Sequence, residues 1–180
     1  MKAAIIDLLA LAATSAAAAP AAPPPRFNPA APENRQLLPT FSYATVEPVL
    51  AQIGARHRRA GTAPAKPVLH VQFANNRTAV LVFGSCNSAG TDCKALSLQS
   101  HWRPIANSPR AATGEAIERF NQRFSLAKAF VAADGGPSLQ RYLIADYGVV
   151  RGNLAVNLLA FAQQAESFAT DVLRPLEAAK

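Results

Sequence analysis

A chain of 180 residues, half of them apolar, holds enough material for one core and one domain. The formal charge is +7, but the arginines are scattered and Arg56-His57-Arg58-Arg59 is the single basic cluster, so most of that charge reads as solvated surface rather than a nucleic-acid interface. No apolar run is long enough for a transmembrane helix, and two cysteines with no further ligands close in sequence do not make a metal site.

Residues 1–19 read as a secretory signal peptide. Met1-Lys2 supplies a minimal positive start, Ile5-Ile6 and Leu8-Leu9-Ala10-Leu11 an apolar stretch, and Ser15 to Ala19 a run of small residues. Asp7 interrupts that apolar region, and cleavage is expected before Ala18 or Ala19, because a proline directly after the cut is poorly accepted. The expected location is therefore the periplasm of a Gram-negative bacterium, or outside the cell. There the basic charge meets anionic envelope components rather than nucleic acid. Residues 20–41 hold seven of the chain's 14 prolines and read as a Pro/Ala-rich mobile linker, with the folded domain at 42–174 and a short tail at 175–180.

Within the domain, Thr45 is the expected N-cap of a first helix. Val46, Val49, Leu50 and Ile53 share one face, Pro48 is tolerated in the first turn, and Gly54 stops the helix. Val68 to Phe73 alternates in the manner of a strand, Asn75-Asn76 turns, and Thr78 to Phe83 returns. A third strand runs from Ala95 to Trp102. A second helix is expected from Thr113, with Ile117, Phe120, Asn121 and Phe124 on one face. Periodicity alone would carry it through Ala127 and Val131 to Ala132. The turn signal Asp134-Gly135-Gly136-Pro137 favours instead a hairpin of 124–132 with 139–145. The last helix repeats Leu154, Leu158, Phe161, Ala165, Phe168 and Val172 at helical spacing, with Asn153 as the expected cap and Pro175 as the expected end.

Six residues separate Cys86 from Cys93 between two strand-like runs, a spacing that suits a hairpin disulfide. A redox pair has two intervening residues, so the reading is structural. His57, His70 and His101 lie on separate segments with no carboxylate pattern beside them, and Gly84-Ser85-Cys86 lacks the second glycine of a nucleophile elbow. Asp134 and Asp146 read as turn and strand-end residues. No catalytic, metal or cofactor set emerges.

The order of features resembles the YbjN family. The matching pieces are the helix ending in Gly54, the strand into Phe83-Gly84-Ser85-Cys86, and Cys93 followed by Lys94-Ala95-Leu96-Ser97-Leu98-Gln99. Ile117 to Phe124 and the turn Phe130-Val131-Ala132-Ala133-Asp134-Gly135-Gly136 complete the match over residues 40–174, with Phe120 where the family has tryptophan. The resemblance implies an α+β fold similar to type III secretion chaperones: an antiparallel sheet of about five strands against two or three helices, in the order α-β-β-β-α-β-β-α. The family carries the label of a sensory transduction regulator, and chaperones of that fold hold extended protein segments. The expectation is thus a non-enzymatic binding module whose partner is another protein's segment, with Arg56, Arg58 and Arg59 as candidate contacts. A wall-associated structural protein and a hydrolase with no assignable site are the alternatives, and the oligomeric state stays open, a homodimer included.

Overall fold

The structure is a computed structural model that describes residues 27–61, 66–106 and 108–179. The expected leader lies outside the described residues. Residues 20–26 of the expected linker lie outside them too, and the described chain begins at Phe27. From there the chain forms a 3-10 turn at Pro32–Arg35 and a short strand β1 at Leu37–Leu38. Leu38 and Phe41 are buried in the core. Prolines set the turn, but these two apolar side chains anchor the segment against the domain.

Helix α1 spans Tyr43–Gln52, and its cap is Ser42 rather than Thr45. Ser42 accepts from the Thr45 amide, while Thr45 Oγ1 accepts from the Ser42 amide, so Thr45 is the third helical residue of a reciprocal box. Ile53 then leads to Gly54, whose φ of 71° is the left-handed conformation that ends the helix. Strands β2 (Arg56–Arg59), β3 (Val68–Gln72), β4 (Thr78–Gly84) and β5 (Ala95–His101) follow. After helix α2 (Arg110–Arg123) come β6 (Lys128–Val131), β7 (Pro137–Ile144), β8 (Val149–Val150) and helix α3 (Arg151–Phe168). The helix thus does not extend into the 124–132 segment, whose hairpin strand is confined to Lys128–Val131 after an irregular stretch at 124–127.

Three boundaries move. Helix α2 starts three residues before Thr113, and α3 starts at Arg151, with Asn153 inside its first turn rather than capping it. Pro175 does not end the last helix. A wide π-type turn at Ala169–Leu173 sends the Arg174 amide to Ala169 O, and Pro175 then sits in the first turn of α4 (Arg174–Ala178), where a missing N–H costs nothing.

All strand pairing is antiparallel. The main sheet has six strands in the order β2-β3-β4-β5-β7-β6, and β1 pairs with β8 as a separate ribbon. The extra strand is β2, the segment read from sequence as a charge cluster. Strand alternation then sorts the faces. Leu69, Val71, Ala79, Leu81, Phe83, Leu96, Leu98 and Leu139 point inward to Val46, Val49 and Leu50 of α1, Ile117 and Phe120 of α2, and Leu154, Leu158, Phe161 and Phe168 of α3. On the expected α2 face, Phe124 is only partly buried, stacked on Phe120 at 4.5 Å between ring centroids, and Asn121 is exposed.

Side chains tie the layers together. Asn75, in the β3–β4 turn, donates to Ala162 O, and Arg77 beside it pairs with Glu166 at 2.6 Å, fixing the hairpin tip to α3. Cys86 and Cys93 are bonded to each other and close the loop between β4 and β5. Cys93 is fully buried and exchanges two backbone hydrogen bonds with Phe41, so the disulfide also holds the entry to α1.

Candidate functional site: the outer face and edges of the sheet

The opposite face of the sheet carries the side chains that the helices leave uncovered. Register places Arg58, His70, Val80, Gln99, Gln140 and Lys128 in one row across all six strands. Beside it, Arg56, Gln72 and Thr78 form a parallel row at one end of the strands. On the other side, Val68, Val82, Ser97 and Tyr142 are in register, followed by Gly84, Ala95 and Ile144. One half of the face is therefore cationic and amide-rich, and the other half apolar, with Tyr142 58% and Ile144 62% exposed.

A groove of about 660 Å³ lies over the cationic half, lined by Arg56, Arg58, His70, Gln72, Thr78 and Gln99 among others. Among the described residues no carboxylate lines it. Gln99 and Gln140 both donate to Ser97 Oγ, which fixes their amides, whereas Arg58 makes only a 3.5 Å contact with His70 Nδ1. Two guanidinium groups thus face the groove without an acidic partner, a fit for an anionic group.

The third candidate arginine has a different environment. Alternation turns His57 and Arg59 to the inner side of β2, toward Glu47 of α1. Arg59 donates to both Glu47 carboxylate oxygens at 2.7 and 2.8 Å and lies 4.4 Å above the Tyr43 ring. That hydrogen bonding holds the Glu47 carboxyl below its ordinary pKa and raises that of Arg59. His57 stands 3.8 Å from the same carboxylate. The structure therefore brings Arg56 and Arg58 together on one surface and directs Arg59 elsewhere.

The two edges of the sheet are unlike. Ala60 N–H bonds to Val68 O, so by the two-residue period Arg58 and Arg56 bond inward to β3, and His57 and Arg59 turn their backbone N–H and C=O outward. Among the described residues no strand pairs with that outward edge. At the far edge, Ala132 N–H bonds to Gly136 O, which leaves Ala129 and Val131 of β6 facing out. Asn121 of α2 caps the Ala129 half of that edge: its amide donates to Ala129 O and accepts from Ala129 N–H, both at 2.9 Å. A helix side chain here does the work of a neighbouring strand.

His101, Ser138 and Asp134 form a contact that sequence spacing concealed, since 37 residues separate the histidine from the serine. His101 Nδ1 lies 2.8 Å from Ser138 Oγ, and Nε2 lies 2.9 Å from Asp134 Oδ2. The composition is that of a hydrolytic triad, but the arrangement is not. Ser138 is 5% exposed, and Asp134, on the opposite ring nitrogen from the one a triad uses, accepts from Gly136 N–H within its own turn. That backbone bond, with His101 adding to it, holds the Asp134 carboxyl below its ordinary pKa. A Cβ at Gly136 would meet Trp102 O at 2.3 Å, so glycine is what lets the turn lie against β5. The three side chains pin the β6–β7 turn to the sheet. His101 lines the groove together with His57 and His70, but no group of three metal-ligating side chains occurs among the described residues.

The family model named YbjN, with the description "putative bacterial sensory transduction regulator", matches residues 42–174. The chain belongs to the YbjN family. The match runs from the capping serine of α1 to the start of α4, so it spans the whole six-stranded sheet and both of its edges. No curated protein matches the chain. Among the described residues, no helix of this YbjN domain is long and apolar enough to cross a membrane.

Proposed function

We propose that this YbjN domain is an exported, non-enzymatic module that holds an extended segment of another protein by adding it as a seventh strand beside β2. The single observation that carries the reading is the asymmetry of the edges. On the β6 edge Asn121 takes both backbone groups of Ala129 and only Val131 still faces out, while among the described residues β2 presents two residues of unpaired backbone next to a basic groove. Charged edge strands also protect proteins from pairing with copies of themselves, and a cationic edge on a chain of net charge +7 does so here. The same charge favours an acidic partner and makes its capture faster at low ionic strength. The cluster around His101 is read as structural, which supports a binding role over hydrolysis. Export is supported by the leader-like residues 1–19 and by the disulfide, a bond that persists in oxidising compartments.

The decisive variant is His57→Pro. Its lost N–H is the one that points away from β3, so the β2–β3 ladder survives and the unfolding midpoint moves little. Capture of an acidic extended peptide should weaken about tenfold, the worth of one net hydrogen bond at its upper range. Arg58→Pro strikes the ladder itself and should lower the midpoint. Hydrogen exchange of the His57 and Arg59 amides, with and without peptide, reads the site directly. Capture left intact by His57→Pro, with no new protection at those amides, would remove the edge from the account.

A further inference from the structure

The β2 strand shows a guest segment two chemically different sides, and this sets which positions of the guest carry charge. The inference rests on strand addition at β2. In an added strand, residues opposite Arg56 and Arg58 lie on the outer face, and those opposite His57 and Arg59 lie on the α1 side. On the outer face the two guanidinium groups meet no carboxylate among the described residues, and their own rows continue into His70 for Arg58 and into Gln72 and Thr78 for Arg56. On the α1 side the Arg59 fork is already filled by both oxygens of Glu47, and His57 stands near that same carboxylate. A guest carboxylate there gains no free cation and sits close to a fixed negative charge.

The backbone sharpens the difference. Because His57 and Arg59 turn their N–H and C=O outward, they form the hydrogen-bonded pairs with an antiparallel guest. Arg56 and Arg58 then fall in the non-hydrogen-bonded pairs, where facing side chains come closest. We infer that the domain selects an extended segment with carboxylates at alternate positions, acid–x–acid, where the intervening residue is uncharged and points toward α1. Two adjacent acids cannot both reach the outer face, since neighbouring strand residues point to opposite sides.

The test uses the full chain and two seven-residue, end-blocked peptides of identical composition. One reads Thr-Val-Glu-Val-Glu-Val-Thr and the other Thr-Val-Glu-Glu-Val-Val-Thr. Affinity is measured by titration at low and high salt, and amide exchange at His57 and Arg59 is followed in parallel. The alternating peptide should bind about fivefold tighter at low salt, the upper worth of one cross-strand charge pair, and the gap should close as salt rises. Replacing both Arg56 and Arg58 by Gln should abolish the preference while the unfolding midpoint stays in place, because both side chains are exposed. Equal affinities with β2 amides protected by both peptides would overturn the alternation rule and leave strand addition standing. Absence of protection with either peptide would overturn strand addition and the rule with it.

Discussion

Phe168→Ala is expected to lower the free energy of unfolding by about 3–5 kcal/mol, the range for deleting a buried aromatic ring from a core that relaxes only in part. The Phe168 side chain is fully buried at the last turn of α3. Its ring lies 5.0 Å from that of Trp102, which follows β5, and 5.0 Å from that of Phe120 in α2, the latter edge-on at 85°. Phe120 in turn stacks on Phe124 at the exit of α2. One ring therefore joins α3, α2 and the end of the sheet, and edge-to-face pairs add about 0.5–1.5 kcal/mol beyond the area they bury. Removing it leaves a void between three elements, so the loss should fall in the upper part of that range. Phe168→Leu, which refills most of the volume, should recover more than half of it. Urea unfolding followed by Trp102 fluorescence reads both variants, as this is the chain's only tryptophan. A loss under about 1 kcal/mol for the alanine variant would show that the three elements do not share this core.

The elements that sequence made legible are those whose apolar pattern matches their own period. Leu69, Val71 and Phe73 alternate with His70 and Gln72, and the helix from Leu154 repeats at three and four, because each buries one face against a neighbour. Strand β2 escaped for the opposite reason. Arg56-His57-Arg58-Arg59 has no apolar residue, and all four are exposed; the strand exists through its pairing with β3. Propensity said nothing there, and the neighbouring strand decided. The segment 27–41 was hidden by its prolines, which mask two anchors, Leu38 and Phe41. The helix caps were displaced by a few residues because capping depends on which oxygen reaches which amide, and Ser42 and Thr45 are both suitable by type.

The candidate site was legible in part. The basic cluster stood out by composition, but its division could not: Arg59 was separable from Arg56 and Arg58 only once α1 placed Glu47 beside it. Likewise the row from Arg58 through His70, Gln99 and Gln140 to Lys128 joins residues up to 82 positions apart, and only register aligns them. Periodicity places Asn121 on the apolar face of α2, yet it is exposed. Its amide is there for the β6 edge, a role no local pattern encodes.

Asn121→Ala is accordingly expected to do two separable things. It should lower the free energy of unfolding by about 2–3 kcal/mol, because the Ala129 N–H and C=O lose their partners together and an unmet buried polar group costs about 1–3 kcal/mol. Ala129 is 2% exposed, so water does not readily replace the lost amide. The variant should also lengthen an open edge, with the backbone of Ala129 joining that of Val131 in being free to pair, and this edge is less charged than β2. Sedimentation should then show association that rises with protein concentration, beyond that of the unaltered chain. Asn121→Asp separates the two hydrogen bonds. Its carboxylate still accepts from the Ala129 N–H but sets a second oxygen against the Ala129 carbonyl, so at neutral pH it should be no more stable than the alanine form and should gain on acidification, where the neutral carboxyl can donate. Peptide protection at His57 and Arg59 should persist in all three forms, since β2 lies at the far side of the sheet. An alanine variant that loses under about 0.5 kcal/mol and associates no more than the parent would show that the Ala129 half of the β6 edge is capped by something other than this amide.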